Sequence, residues 1–311
     1  MRSYVNTFVL AVFVITGGTF SLHDGRHMEL GTPRQYNLGA NAQILDCAAL
    51  ANRVYALTDS AVAIMNNQGR VISRFPAHAH RLVVASDGTI FIAEPYRIGV
   101  YNEKGHLLRK IGGKGTGAAQ FGNYFYGAGD AMPGPEFLAL GPDNTLYAFD
   151  QASAHLKMFS PKGSYLGNWN PKSVSFMAQS ARNPPGNSIN VFGVGIDRSN
   201  NVYIGENLGY QVWKFDHSGR LLARIGGKAR SKSDPGKFVV EEDGGGPSSL
   251  CFDSAGHIFV ADMGGEKVEV FAGDGTPLGH LPGQSWGLSI AGVDCLSATP
   301  QGFKRFPLTF R

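Results

Sequence analysis

Four acids, Glu94, Asp150, Glu206 and Asp262, recur at a constant step of 56 residues. Acids in such a register could ring an opening and bind a cation. They could equally brace the backbone N–H groups of an adjacent loop, as short acidic side chains routinely do. A second register runs through Ile44, His80, Glu136, Phe192 and Ser248, each 11 residues before a repeated aromatic. His80 and Glu136 are neighbours in that register, and His78 alternates with His80 along the chain, so an extended backbone would turn both imidazoles to one side. Two histidines and a carboxylate are a ligand set for zinc or calcium with a position left open, where a bound water becomes nucleophilic or a substrate oxygen is polarised. Without a metal, the same three residues make a polar rim. Tyr96, Arg97, His155 and Tyr210 follow the acids closely and complete the set of candidate ligand contacts.

What must position these residues is a repeated unit. Each acid ends a short apolar segment: Thr89 to Glu94, Thr145 to Asp150, Asn201 to Glu206 and His257 to Asp262. The aromatics Phe91, Tyr147, Tyr203 and Phe259 keep the step, as do the turn residues Gly88, Asn144, Asn200 and Gly256. A weaker copy precedes them around Tyr55. Further β-rich runs and glycine turns give four short strands per copy, with Gly and Asn where a turn needs positive φ. A four-stranded meander cannot bury both faces alone, so copies must stack, and radial stacking makes a propeller. The sequence predicts an all-β, six-bladed β-propeller of four-stranded antiparallel blades. Five repeats are legible. The sixth blade is stitched from Leu288 to Asp294, Gly302 to Phe310 and the stretch around Gln35 to Leu38.

Composition agrees. The chain has 311 residues, 43% hydrophobic and only 17% charged, with 42 glycines, which excludes a disordered chain and favours many short strands. A formal net charge of +4 argues against a dedicated polyanion binder. The basic cluster from Arg224 to Lys237 is answered at once by Glu241, Glu242 and Asp243, so no nucleic-acid partner is expected. Gly112 to Gly117 lacks the spacing and the following helix of a phosphate loop. Cys47 and Cys251 share a register two strands apart, too far for a disulfide, and are expected as small buried thiols. Arg2, the apolar run Phe8 to Ile15 and the small residues that follow have the layout of a secretory signal, too short for a permanent span. Residues 1–21 are therefore expected to be a signal peptide and 22–311 one propeller domain. Secretion, to the exterior or a periplasm, follows; an N-terminal membrane anchor is the alternative.

The segment Leu107 to Phe121, a glycine-rich run ending in Gln-Phe, and the pair Asn201 to Glu206 with Gln211 to Asp216 resemble the NHL-repeat family of β-propellers. The resemblance covers roughly residues 40 to 295 and implies the propeller fold, with the acid of each second strand bracing its loop. A secreted enzyme branch of that family, the amidating lyases, is similar in placing histidines in the register of His80 and a catalytic tyrosine in the loop position of Tyr96. By that resemblance Tyr96, with Arg97 beside it, is a candidate catalytic residue.

Three long between-blade segments, about 112–134, 170–189 and 226–246, fall on one face of such a ring. They carry Phe121, Tyr124, Phe125, Tyr126, Phe176 and Phe238, read here as exposed aromatics on mobile loops. Loops of this length are uncommon unless functional or disordered. The expected function is binding of a small molecule or a protein partner across this face, through His80, Tyr96, Arg97, Glu136, His155 and Tyr210. The alternative is a metal-dependent lyase or lactonase at the same opening. A pure assembly scaffold would leave the opening empty.

Overall fold

The computed structural model describes residues 19–21, 27–36, 38, 43–125, 131–180, 191–207, 209–239, 245–292, 294–299 and 302–310. It is a ring of six antiparallel blades. Blade one comprises Ile44–Leu50, Arg53–Thr58, Ala61–Asn66 and Val71–Pro76; blade two, Leu82–Val84, Ile90–Glu94, Arg97–Tyr101 and Leu107–Gly112. Blade three comprises Phe137–Leu140, Leu146–Asp150, His155–Phe159 and Tyr165–Asn168; blade four, Val191–Ile196, Val202–Glu206, Gln211–Phe215 and Leu221–Gly226. Blade five comprises Pro247–Phe252, Ile258–Asp262, Lys267–Phe271 and Pro277–Pro282. In the sixth, Gly287–Ala291, Asp294–Thr299 and Gly302–Phe310 are completed by Arg34–Tyr36, so strands from both ends of the chain close the ring.

The local chemistry that builds a blade is the repeat seen in the sequence. Asn144 and Asn200 adopt φ of 61° and 63°, and Gly88 and Gly256 take 84° and 87° at the same turn. That is the left-handed region, which glycine and asparagine enter at least cost. The second strands are buried along their whole length in blades two to five. Their side chains fill the gaps between blades on both faces, as stacking requires.

Two expectations are corrected here. The segment after blade three is not a plain loop: Pro171–Ser180 is an α-helix, started by Asn170, whose Oδ1 accepts the Ser173 N–H at 3.2 Å. Val174 and Met177 bury against Trp169 and Trp213. Phe121 and Phe238 are not exposed but wholly buried. Each is tucked under its own junction: Phe121 packs on Phe159, and Phe238 on Phe271. The ring of each lies against Gly112 or Gly226, where a Cβ would collide with it. Among the other aromatics, Phe176 is 46% exposed as expected. Tyr126 and most of the segment expected as a signal lie outside the described residues, although Thr19–Ser21 pairs with His27–Leu30 and extends the sixth blade. No helix among the described residues is long and apolar enough to cross a membrane.

Candidate functional site

All six blades contribute to one cavity of about 310 Å3 at the mouth of the axial opening. Blade one supplies Leu45; blade two is entered through His80 and Arg81; blade three gives Glu136, Phe137 and Gln151; blade four, Val191 and Phe192; blade five, Ser248 and Met263; and Trp286 leads into blade six. Tyr124 and Met132, from the long segment between blades two and three, close one side. Beneath it, the innermost strands line a narrower, more polar channel of about 210 Å3 that includes Asp46, Ser249 and Ser289.

The register of His80, Glu136, Phe192 and Ser248 therefore does converge on the opening. Ile44 departs from it: a register shift between Ile44 and Asp46 buries Ile44 and turns Leu45 to the cavity instead.

The cavity is mostly apolar, with a polar end on blade three. Glu136 is 3% exposed; its Oε2 accepts the Gln151 N–H at 2.7 Å, and its Oε1 has no hydrogen-bond partner among the described residues. Gln151 Oε1 and Trp286 Nε1 are likewise buried and unpartnered. Burial pushes the Glu136 carboxyl up to about 8, the Asp150 carboxylate adds to the rise, and the Gln151 N–H and Lys157 offset part of it. Asp150 itself is satisfied on one side only: its Oδ2 meets Lys157 Nζ at 2.8 Å and the Ser153 hydroxyl at 2.6 Å, while its Oδ1 is unpartnered. Both orphaned carboxyl oxygens face the missing side chain of Gly134, whose Cβ would lie 3.0 Å from Glu136 Oε1 and 3.1 Å from Asp150 Oδ1.

On the neighbouring blade, His80 Nε2 is 2.8 Å from the Pro135 carbonyl. A carbonyl only accepts, so Nε2 carries the proton and Nδ1 keeps its lone pair. Burial, then the Arg81 charge, lowers His80 to about 4, so the imidazole is neutral at physiological pH. The mouth thus holds a neutral imidazole and a carboxyl that keeps its proton at neutral pH.

The four acids of the 56-residue step do not ring the opening as a metal site. Glu94 binds Arg97 and the Tyr101 hydroxyl. Asp150 holds Lys157, Glu206 accepts the Gly209 N–H at 2.6 Å, and Asp262 accepts the Val239 N–H at 3.1 Å. Glu206 and Asp262 brace backbone N–H groups as the resemblance implied, whereas Glu94 and Asp150 pair with side chains of their own blades instead.

Several candidates stay outside the cavity lining. Tyr96 and Tyr210 sit at the tight turn after the second strand with φ of 62° and 52°. That turn holds Tyr96 against its own junction, where its hydroxyl donates to Asn123 Oδ1 at 2.7 Å beneath Lys114. It holds Tyr210 against Gly246. Arg97 is occupied by Glu94, and His155 opens the third strand of blade three, opposite Asp150. The metal set of His78, His80 and Glu136 is not assembled either. His78 is exposed on the connection between blades one and two, and His80 spends Nε2 on Pro135. Among the described residues, no three His, Cys, Asp or Glu side chains are placed to hold a metal ion, so no step is derived through zinc or calcium.

Sequence reasoning missed Gln151 and Met263, each one residue after an acid and 56 positions from its next counterpart. Carrying the register one residue further would have found them. Trp286 holds on blade six the place of His80 and Glu136, its backbone N–H bonding the Ala298 carbonyl as theirs bond Ala93 and Phe149; the second strand of that blade ends in Thr299 and not in an acid, so the register gave no signal there.

No family model matches the sequence, and no curated protein matches it. Solved structures do share the fold. A gluconolactonase from Xanthomonas campestris aligns with a TM-score of 0.60 at 16% identity over 98% of this chain and 99% of that one. A streptogramin B lyase aligns at 0.58 and 13% identity over 89% and 97%. A virginiamycin B lyase from Staphylococcus aureus, in a structure with quinupristin, aligns at 0.57 and 13% over 89% and 99%. At these identities the likeness is one of fold.

Proposed function

We propose that this chain is an exported propeller of the NHL type that binds a small organic molecule in the cavity at the mouth of the ring. The observation that carries this reading is the pairing of an apolar wall with buried, unanswered polar atoms. Phe137, Val191, Phe192 and Met263 offer contact area, while Glu136 Oε1, Gln151 Oε1 and Trp286 Nε1 lack partners. A buried polar atom left unpaired costs about 1–3 kcal/mol, and a ligand that pairs with it recovers that cost. A cavity of about 310 Å3 suits a molecule of modest size.

A second reading is supported by His80 and Glu136. Their surroundings shift them in opposite senses, to about 4 and about 8. A base with a free lone pair and an acid holding its proton on one wall are the two halves of general acid–base catalysis. The fold neighbours named as lyases and a gluconolactonase agree with an enzyme of elimination or ring-opening chemistry, acting on the same ligand.

Native mass spectrometry of the purified full chain, followed by calorimetric titration of any retained molecule, tests the first reading. Met132→Trp, at a half-exposed position of the mouth, should weaken binding by about tenfold with an unchanged melting temperature. Unchanged affinity would place the ligand elsewhere. Turnover lost in both Glu136→Gln and His80→Ala, with binding retained, would promote the second reading.

A further inference from the structure

Resting on the reading of the cavity as a ligand site, we propose that its occupant carries an organic ammonium group. The apolar body would lie against Phe137, Val191, Phe192 and Met263, and the N–H donors would point to Glu136 and Gln151.

Glu136 is the buried carboxyl at the mouth that no cation answers. Glu136 lines the cavity, Asp46 lines the channel beneath it, and Asp150 lies beside Glu136. Two cations accompany them. Lys157 is held by Asp150 at 2.8 Å and also donates to the Gln120 carbonyl. The Arg81 guanidinium lies over the Phe137 ring, donates to the His80 carbonyl at 3.0 Å, and exerts its field on Asp46. Asp46 is further answered by the Cys47 and Leu82 N–H groups, both at 2.9 Å. Glu136 alone has no cation: Asp150 opposes its ionisation more than Lys157 favours it. His80 is neutral and cannot supply the charge.

Of the three orphaned atoms at the cavity, Trp286 Nε1 is a donor and the two on blade three are acceptors. Glu136 Oε1 and Gln151 Oε1 are acceptors, in side chains 3% and 2% exposed that both line the cavity. Behind them Asp150 Oδ1 is a further unpartnered acceptor. What is missing is a positively charged donor. In the empty cavity a proton on Glu136 fills that role, and an alkylammonium replaces the proton with a charge that brings several N–H bonds. Phe192 and Trp286 line the same cavity with aromatic side chains, beside which such a cation is also tolerated.

Three probes of equal length separate the possibilities: hexylamine, 1-hexanol and hexanoate, titrated calorimetrically into the full chain at neutral pH. Hexylamine should bind at least about tenfold more tightly than hexanol, the margin of a charge-assisted hydrogen bond over a neutral one. Glu136→Gln should erase that margin by lowering hexylamine affinity about tenfold, and Glu136→Asp should keep it. Circular dichroism of each variant checks that the ring is intact. Equal affinity for amine and alcohol, a preference for hexanoate, or an amine preference that survives in Glu136→Gln would overturn the proposal and leave the ligand site standing. If none of the three probes binds, the ligand-site reading itself falls.

Discussion

Glu136 and Ser248 occupy the same place on blades three and five, at the mouth of the innermost strand. Their surroundings use the same parts in different places, with Lys267 standing where His155 does and Glu269 where Lys157 does. In blade three, Lys157 joins Asp150 to the Gln120 carbonyl and so ties the preceding junction to the ring. In blade five, Lys267 joins Glu269 to the Lys232 carbonyl at 3.0 Å and does the same. Each junction carries a buried phenylalanine, Phe121 or Phe238, bridged to a lysine at its start. The outcomes differ most at the mouth. The Ser248 hydroxyl donates to the Ala261 carbonyl at 3.3 Å and is satisfied, whereas Glu136 keeps an unpartnered oxygen in a buried, mainly apolar setting. One frame thus appears twice, closed on blade five and open on blade three. A polar atom that the fold itself does not need is where a ligand belongs.

The comparison breaks most visibly at the lysines. Lys157→Ala leaves Asp150 and Glu136 side by side without a cation, and losing one partner of a buried pair costs about 3–5 kcal/mol. Lys267→Ala should cost less, because Glu269 keeps its backbone donor from Gly236. Denaturant unfolding of both variants measures the difference, and equal losses would deny that Asp150 depends on its lysine more than Glu269 does.

Glu136→Gln comes next, and its effect has a sign set by pH. The folded carboxyl titrates at about 8, against an ordinary 4.5 in the unfolded chain. Between those values the folded state holds a proton that the unfolded state has released. The resulting stability is full below about 4.5, falls as pH rises and is lost above about 8. Glu136→Gln should flatten that slope, leaving the variant more stable than the parent at pH 8 by a few kcal/mol. Melting temperatures of the two proteins across this window give the answer, and parallel curves would show that Glu136 is ionised in the fold. Gly134→Ala should follow at about 1–2 kcal/mol, since its methyl would crowd the two orphaned oxygens.

The sequence made the frame legible and the opening only partly so. A constant step through Glu94, Asp150, Glu206 and Asp262 exposes the blades, because stacking against identical neighbours imposes the same apolar and turn residues on each copy. Asn144 and Asn200 announce their left-handed turns for the same reason. The register that found His80 and Glu136 works because an innermost strand begins at the same height in each blade. It failed for Tyr96, Arg97, His155 and Tyr210, whose turns face their own junctions; spacing along the chain does not encode which way a turn residue leans. The helix Pro171–Ser180 and the burial of Phe121 and Phe238 were hidden because they depend on contacts between segments far apart, as does the entry of Trp286 into the cavity.

The smallest effect is the most discriminating. Ser248→Ala removes one neutral hydrogen bond, and its partner, the Ala261 carbonyl, belongs to a strand whose ladder persists. The expected cost is about 1 kcal/mol, without pH dependence. Ser248 nevertheless lines the same cavity as Glu136, so the variant asks whether contact with the cavity or an unmet polar group makes a residue matter for binding. If the unmet group is what matters, Ser248→Ala should leave the affinity for an ammonium probe within about twofold, while Glu136→Gln lowers it by about tenfold. Equal losses would mean that the cavity recognises shape alone, and the distinction drawn between blades three and five would then concern stability and not recognition.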